Sequence, residues 1–321
     1  MGSGSPCLGT KVAHLIGPGK VRLINDRLAF SNGKAAALRL DLGTLRLVVC
    51  HGPVGWTDRA LARLFPTGVE VAFLSRAGGR YHGRVAGSHL EGTWLRTQQH
   101  RAASEPKLAL EVARGIVTAK IESQVDGARR LQRKGLHSAT DARRGLGRLL
   151  DAVRRADDRN ELRGLEGRAS AIWFRLFAAA LIKPWDFPAR SIRPPRDPVN
   201  ALLSLGYTWL LARVGARSQA FGFELNVGFL HEYRPGRPSL ACDVMEPLRL
   251  PMVDRWVLAI CNRKELRPDA FVREGEGVRL SRALMPRLVT SWEQHASRNE
   301  LDAVLDEGLS RLASWLRQND Q

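Results

Sequence analysis

The chain has 321 residues, 44% of them hydrophobic, which exceeds the usual size of one core and leads us to expect two globular domains. Its 50 Lys and Arg outnumber 32 Asp and Glu, leaving +18 at pH 7 and a pI near 10.9, a balance that favours polyanionic partners, nucleic acid first. Four cysteines without a C-x-x-C pair exclude a zinc ribbon or a secreted disulfide framework and point to a reducing cytoplasm, and no run approaches the ~18 apolar residues of a membrane span.

Met1-Gly2-Ser3-Gly4-Ser5 lacks a charged n-region and an apolar core, so residues 1–9 read as a flexible leader or the seam of a fusion, not a signal peptide. Residues 10–95 are short β-type runs broken by Gly, Pro and Asn: Val21–Ile24, Leu45–Cys50, Val69–Leu74 and Arg80–Val85, with one helix expected over Thr57–Phe65. This small β domain carries 12 basic and 5 acidic residues, and its Ala77-Gly78-Gly79 turn is flanked by Arg76 and Arg80. Such a hairpin could grip DNA or simply turn the chain.

From about residue 98 to 321 the texture is helical. Amphipathic periodicity predicts helices over Lys107–Arg133, Thr140–Arg155, Glu161–Ile182, Pro198–Ala216, Leu240–Asn262, Ser281–Ser297 and Asn299–Gln318. The stretch Pro184–Pro198, with five prolines and three arginines, must be an irregular crossing or loop. The fold class is therefore α+β: a small N-terminal β domain followed by a larger, all-helical C-terminal domain.

Four side chains carry the candidate chemistry. Asp243 and Glu246, three apart on a helix, project from one face, and His231 precedes them in a turn-rich stretch that can fold back over them. Glu166 stands alone in Gly164-Leu165-Glu166-Gly167. Carboxylates with one imidazole suit Mg²⁺ or Mn²⁺. An i, i+3 acid pair also suits a solvated face, but Leu240, Ala241, Val244 and Met245 around these acids look buried, and a buried acid needs a cation. That cation is either a metal or Arg249, three residues after Glu246. No G-x-x-x-x-G-K-[ST] loop and no G-x-S-x-G elbow is present, which disfavours an ATP-driven motor and a serine hydrolase.

Several runs resemble the CRISPR-associated integrase of the adaptation machinery, CRISPR-associated protein one. They are Asp197-Pro198-Val199-Asn200-Ala201-Leu202-Leu203-Ser204-Leu205-Gly206-Tyr207, Gly228-Phe229-Leu230-His231, Ser239 through Arg249, Gly164-Leu165-Glu166-Gly167, Val71 through Ser75 with Gly79-Arg80, and Ala113 through Ile121. The resemblance spans nearly the whole chain in order. It implies a dimerising N-terminal β domain and a helical catalytic domain, with Glu166, His231 and Glu246 as metal ligands and Asp243 as an additional acid. Asn200 and Tyr207 fall in the motif beside the site, as supporting contacts or, for Tyr207, as core packing.

The resemblance further implies a homodimer, two of which join a dimer of a small ferredoxin-like adaptation protein in a heterohexamer. That assembly binds double-stranded DNA, the prespacer and the leader-repeat junction, with a fused or separate nuclease trimming the ends. The implied reaction is metal-dependent attack of a 3′-hydroxyl on a repeat phosphodiester, or hydrolysis when water attacks. Two other readings stay open: a structural DNA-binding subunit whose acids form only ion pairs, and a transposon-type integrase acting without the small partner. Pro247 and Cys242 beside the acids are departures from the family pattern.

Overall fold

The computed structural model describes residues 12–33, 37–76, 79–87 and 92–320. Residues 1–9 and the Ala77-Gly78 tip of the basic hairpin lie outside them. The N-terminal region comprises β1 (Val12–Ile16), β2 (Gly19–Ile24), β3 (Arg27–Ser31), β4 (Leu38–Leu40), β5 (Leu47–His51), β6 (Val54–Trp56), α1 (Asp58–Leu64), β7 (Glu70–Leu74) and β8 (Tyr81–Val85). They form two four-stranded sheets ordered β1-β5-β7-β8 and β4-β3-β2-β6. β1, β5 and β7 run parallel and β8 closes the edge antiparallel. The two-residue turn Asn25-Asp26, with φ of 47° and 58°, joins β2 to β3, because left-handed residues match the twist of a tight hairpin.

β5 reads as continuously apolar because both faces of its sheet are covered. Val48 and Cys50 pack toward Leu28, Phe30 and Val54 of the second sheet, whereas Leu47 and Val49 join the core of the helical region. Side-chain alternation thus divides one strand between two cores. A buried polar chain reinforces the second contact. His14 Nδ1 lies 2.9 Å from His51 Nε2, His14 Nε2 lies 3.1 Å from Glu293 Oε1, and Arg213 donates to Glu293 and Asp302 at 2.8 Å.

The C-terminal region contains α2 (Thr93–Ser104), α3 (Pro106–Arg133), α4 (Ser138–Arg155), α5 (Arg159–Ala180), α6 (Pro198–Ala220), α7 (Ser239–Met245), α8 (Arg255–Asn262), a hairpin of β9 (Phe271–Glu274) and β10 (Gly277–Leu280), then α9 (Met285–Arg298) and α10 (Leu301–Gln318). α6 is buried on nearly every side and forms the central rod. Around it Trp209, Trp256 and Trp292 meet with ring centroids 5.4 to 5.9 Å apart. Among the described residues no helix is long and apolar enough to cross a membrane.

Three features depart from the sequence expectations. α2 was not anticipated, because the fully buried position at its centre is Gln99, whose amide donates to the carbonyls of Glu224 and Val227 and accepts from Glu224 N. A polar residue satisfied by a distant loop does not register as apolar periodicity. The helical region is also not wholly helical: β10 hydrogen-bonds through Val278 N to Pro195 O, so the β9–β10 hairpin braces the proline-rich crossing. Finally, the helix expected over Leu240–Asn262 is interrupted. Glu246–Leu248 tightens to a 3₁₀ turn and Arg249–Asp254 widens to a π segment, with Pro247 and Pro251 each removing an N–H from the helical ladder.

Candidate active site

The interrupted helix faces a cleft of about 280 Å³ lined by residues from six segments. α3 contributes Lys120 and Gln124, α5 contributes Glu166, Ser170 and Trp173, and α6 contributes Tyr207. The 221–238 loop brings His231, the 3₁₀ and π turns bring Glu246, Arg249 and Asp254, and the proline-rich crossing adds Arg190 and Ile192.

Two carboxylates converge on one cation. Glu246 is 4% exposed; its Oε2 accepts from Lys120 Nζ at 2.6 Å and its Oε1 pairs with Arg249 at 2.9 Å. Glu166 Oε1 accepts from the same Lys120 ammonium and from Ser170 Oγ at 2.8 Å. Burial alone would raise the Glu246 pKa, but Arg249 and Lys120 outweigh it and hold the carboxyl at about 2. Deeper in the cleft, Asp254 accepts from Trp173 Nε1 at 2.7 Å and from the Tyr207 hydroxyl. Burial pushes its carboxyl up to about 6 against those hydrogen bonds and the charge of Arg249.

Asp243 is enclosed differently. Its Oδ2 accepts from the backbone N–H of Phe229 at 2.6 Å and Leu230 at 3.0 Å, and its Oδ1 accepts from His231 N at 3.0 Å and from His231 Nδ1 at 2.6 Å. Four donors thus surround a carboxylate with no exposed surface. The bond to Nδ1 leaves Nε2 as the imidazole nitrogen available to the cleft, the arrangement by which a carboxylate orients a metal-binding histidine. The turn wraps this tightly only because residue 228 is glycine: a Cβ there would lie 2.7 Å from His231 O and 2.8 Å from Asp243 Oδ2. Gly228→Ala is therefore expected to cost about 1–3 kcal/mol, read as a lower denaturation midpoint, because backbone rather than a flexible side chain must yield.

Asn200 does not line the cleft. Fully buried, it accepts from Arg190 at 2.8 Å and Ser191 N at 2.9 Å and donates to Ala189 O at 2.8 Å, so it staples the proline-rich crossing to α6 and fixes Arg190. Arg190 and Arg249 lie over the Tyr207 ring, 5.4 and 4.9 Å from its centroid. The wall beside the carboxylates is consequently cationic. Sequence reasoning placed Arg249 beside Glu246 but did not assign Lys120, Arg190 or Asp254 to the site. One signal existed: Lys120 and Gln124 interrupt the apolar stripe of Val117 and Ile121 on α3, and a charge on a buried stripe needs a partner.

Among the described residues, no three His, Cys, Asp or Glu side chains lie close enough together as placed to hold a metal ion. The donor types nevertheless fit one: Glu166 and Glu246 already point at a single positive charge, and His231, held by Asp243, borders the same cleft. Two carboxylates and an imidazole suit Mg²⁺ or Mn²⁺. What stands between the acids is the ammonium of Lys120.

Comparison with known proteins identifies the family. The family described as CRISPR associated protein Cas1 matches residues 14–294. A relative from Thermus thermophilus, CRISPR-associated endonuclease Cas1 3, is 35% identical over 262 residues, covering 81% of this chain and 76% of its own. Among solved structures, a CAS1 protein from Thermotoga maritima superposes with a TM-score of 0.85 at 21% identity, covering 95% of this chain and 96% of that one, and so shares the fold. A Cas6-RT-Cas1–Cas2 complex matches with a TM-score of 0.81 at 27% identity, over 97% of this chain and 35% of that one. With the family matched over residues 14–294 and a relative 35% identical across 81% of its length, the chain belongs to the CRISPR-associated Cas1 family.

Proposed function

We propose that this protein is a divalent-metal-dependent DNA integrase and endonuclease of CRISPR adaptation, joining the 3′-hydroxyl of a short duplex to a repeat phosphodiester. The convergence of Glu166 and Glu246 on one cation position, with His231 on the same cleft, carries the reading. Glu166, His231 through Nε2, and Glu246 would hold the metal, and Asp243 orients the imidazole instead of contacting the ion. A divalent cation there supplies Lewis-acid stabilisation of charge developing on the phosphoryl oxygens.

The remaining work belongs to the chain. Arg249 and Arg190, stacked on Tyr207, present fixed guanidinium groups for the non-bridging oxygens of the scissile phosphate. Asn200 keeps Arg190 in place, and the hydroxyl of Tyr207 is held by Asp254. The net charge of +18 attracts the duplex without reading its sequence, so binding should weaken steeply with salt. The relative seen in a Cas1–Cas2 complex supports assembly with a small partner, and we assign dimerisation to the β domain of residues 10–95 and catalysis to residues 98–321.

The pairing of Lys120 and Arg249 with Glu246 favours one rival, a DNA-binding subunit whose acids form ion pairs only. Chelation separates the two. Strand transfer of a labelled duplex into a repeat-bearing plasmid, with the small partner present, is expected to stop in EDTA and return with Mn²⁺ or Mg²⁺. Joining that persists in EDTA would overturn the metal dependence, and duplex binding with no joining under any metal would favour the rival.

A further inference from the structure

Lys120 is only 6% exposed, and its stem rises from the buried stripe of α3 between Val117, Ile121 and Gln124. Its ammonium reaches Glu166 and Glu246, which come from α5 and the 3₁₀ turn. Arg249 binds the other oxygen of Glu246, so two acids and two bases balance with no metal present. The oxygens that Lys120 occupies, Oε1 of Glu166 and Oε2 of Glu246, face the position a shared metal ion would take. A dication and the ammonium would compete for the same lone pairs, and holding both would leave an uncompensated double charge in a largely buried site.

The two bases differ in how readily they can leave. Arg249 is a planar fork stacked 4.9 Å from the Tyr207 centroid and paired with Glu246, whereas Lys120 ends in a point charge on four flexible carbons. We infer that Lys120 is a resident counter-cation: it holds Glu166 and Glu246 together in the metal-free protein, yields their oxygens to the divalent metal, and then pairs with a DNA phosphate in the same cleft. The inference rests on the metal reading above and adds a consequence to it. DNA stabilises the displaced ammonium, so metal and DNA each tighten binding of the other. Lys120 acts here as a positioning residue.

The test is Mn²⁺ binding by the full chain, followed by electron paramagnetic resonance of the free ion, with and without a duplex whose 3′ ends lack hydroxyls. Wild type is expected to bind Mn²⁺ about tenfold more tightly with the duplex than without it. Lys120→Met should bind it about tenfold more tightly than wild type in the absence of DNA, and the duplex should then add little. Lys120→Gln, which keeps a neutral donor between the acids, serves as the second variant should methionine impair folding, and should shift in the same direction. Folded variants that bind Mn²⁺ no better than wild type, or a duplex effect as large in the variants as in wild type, would overturn the inference while leaving the metal site intact. Absence of Mn²⁺ binding by wild type and variants alike would overturn the metal reading itself, and the counter-cation role with it.

Discussion

Truncating Glu166 or His231 to alanine should lower the rate of strand transfer about a thousandfold, equivalent to ~4 kcal/mol of transition-state stabilisation, and leave the melting midpoint close to that of wild type. The two halves of this expectation have separate causes. Both side chains are partly open to the cleft, with 25% and 26% of their surface exposed, so their removal opens no deep cavity. Lys120 keeps Glu246 as a partner when Glu166 is absent, and Asp243 keeps its three backbone donors when the imidazole is absent. Activity is another matter, because each truncation removes a donor from a set of only three. Rates measured at saturating Mn²⁺ alongside calorimetric melting would test this; variants that melt with wild type and retain its rate would rule out the metal assignment.

Asp243→Ala should instead destabilise the metal-free protein by about 3–5 kcal/mol, because several buried donors lose one charged acceptor at once, at about 1–3 kcal/mol for each donor left unsatisfied. The N–H groups of Phe229, Leu230 and His231 would lose their acceptor inside the core, and the imidazole would lose its orientation. Asp243→Asn should recover only part of the loss, since an amide NH₂ would face N–H donors on one side of the turn. Chemical denaturation in EDTA distinguishes this role from direct ligation. A ligand freed of its metal has little to lose, so an Asp243→Ala variant as stable as wild type in EDTA would place Asp243 back among the metal ligands.

Much of this organisation is legible along the chain because burial and turn geometry leave local marks. β5 and β7 show as apolar runs, and the long amphipathic periods locate α3, α4 and α5 to within a few residues. The isolated Glu166 and the His231, Asp243, Glu246 group stand out because acids set among apolar neighbours need a cation. Resemblance to the family then joined residues that spacing alone could not connect. α2 escaped because Gln99, satisfied by carbonyls more than a hundred residues away, occupies its most buried position. The break at Glu246–Asp254 was foreshadowed by Pro247 and Pro251, but whether prolines kink a helix or widen it depends on what packs around them.

The sequence by itself determined that this is a basic α+β protein of the Cas1 family with Glu166, His231, Asp243 and Glu246 as its candidate chemistry. Only the tertiary structure decided which of them share a cation and which share a hydrogen-bonded turn. Periodicity reports that a charged side chain is buried; it does not report its partner, which is set by how distant elements pack. Lys120 meets Glu166 across 46 positions and Glu246 across 126, whereas Asp243 spends its oxygens on a turn 12 to 14 residues before it. The i, i+3 spacing that made Asp243 and Glu246 look like a pair therefore separates them in function, because burial obliges each carboxylate to take the donors nearest to it.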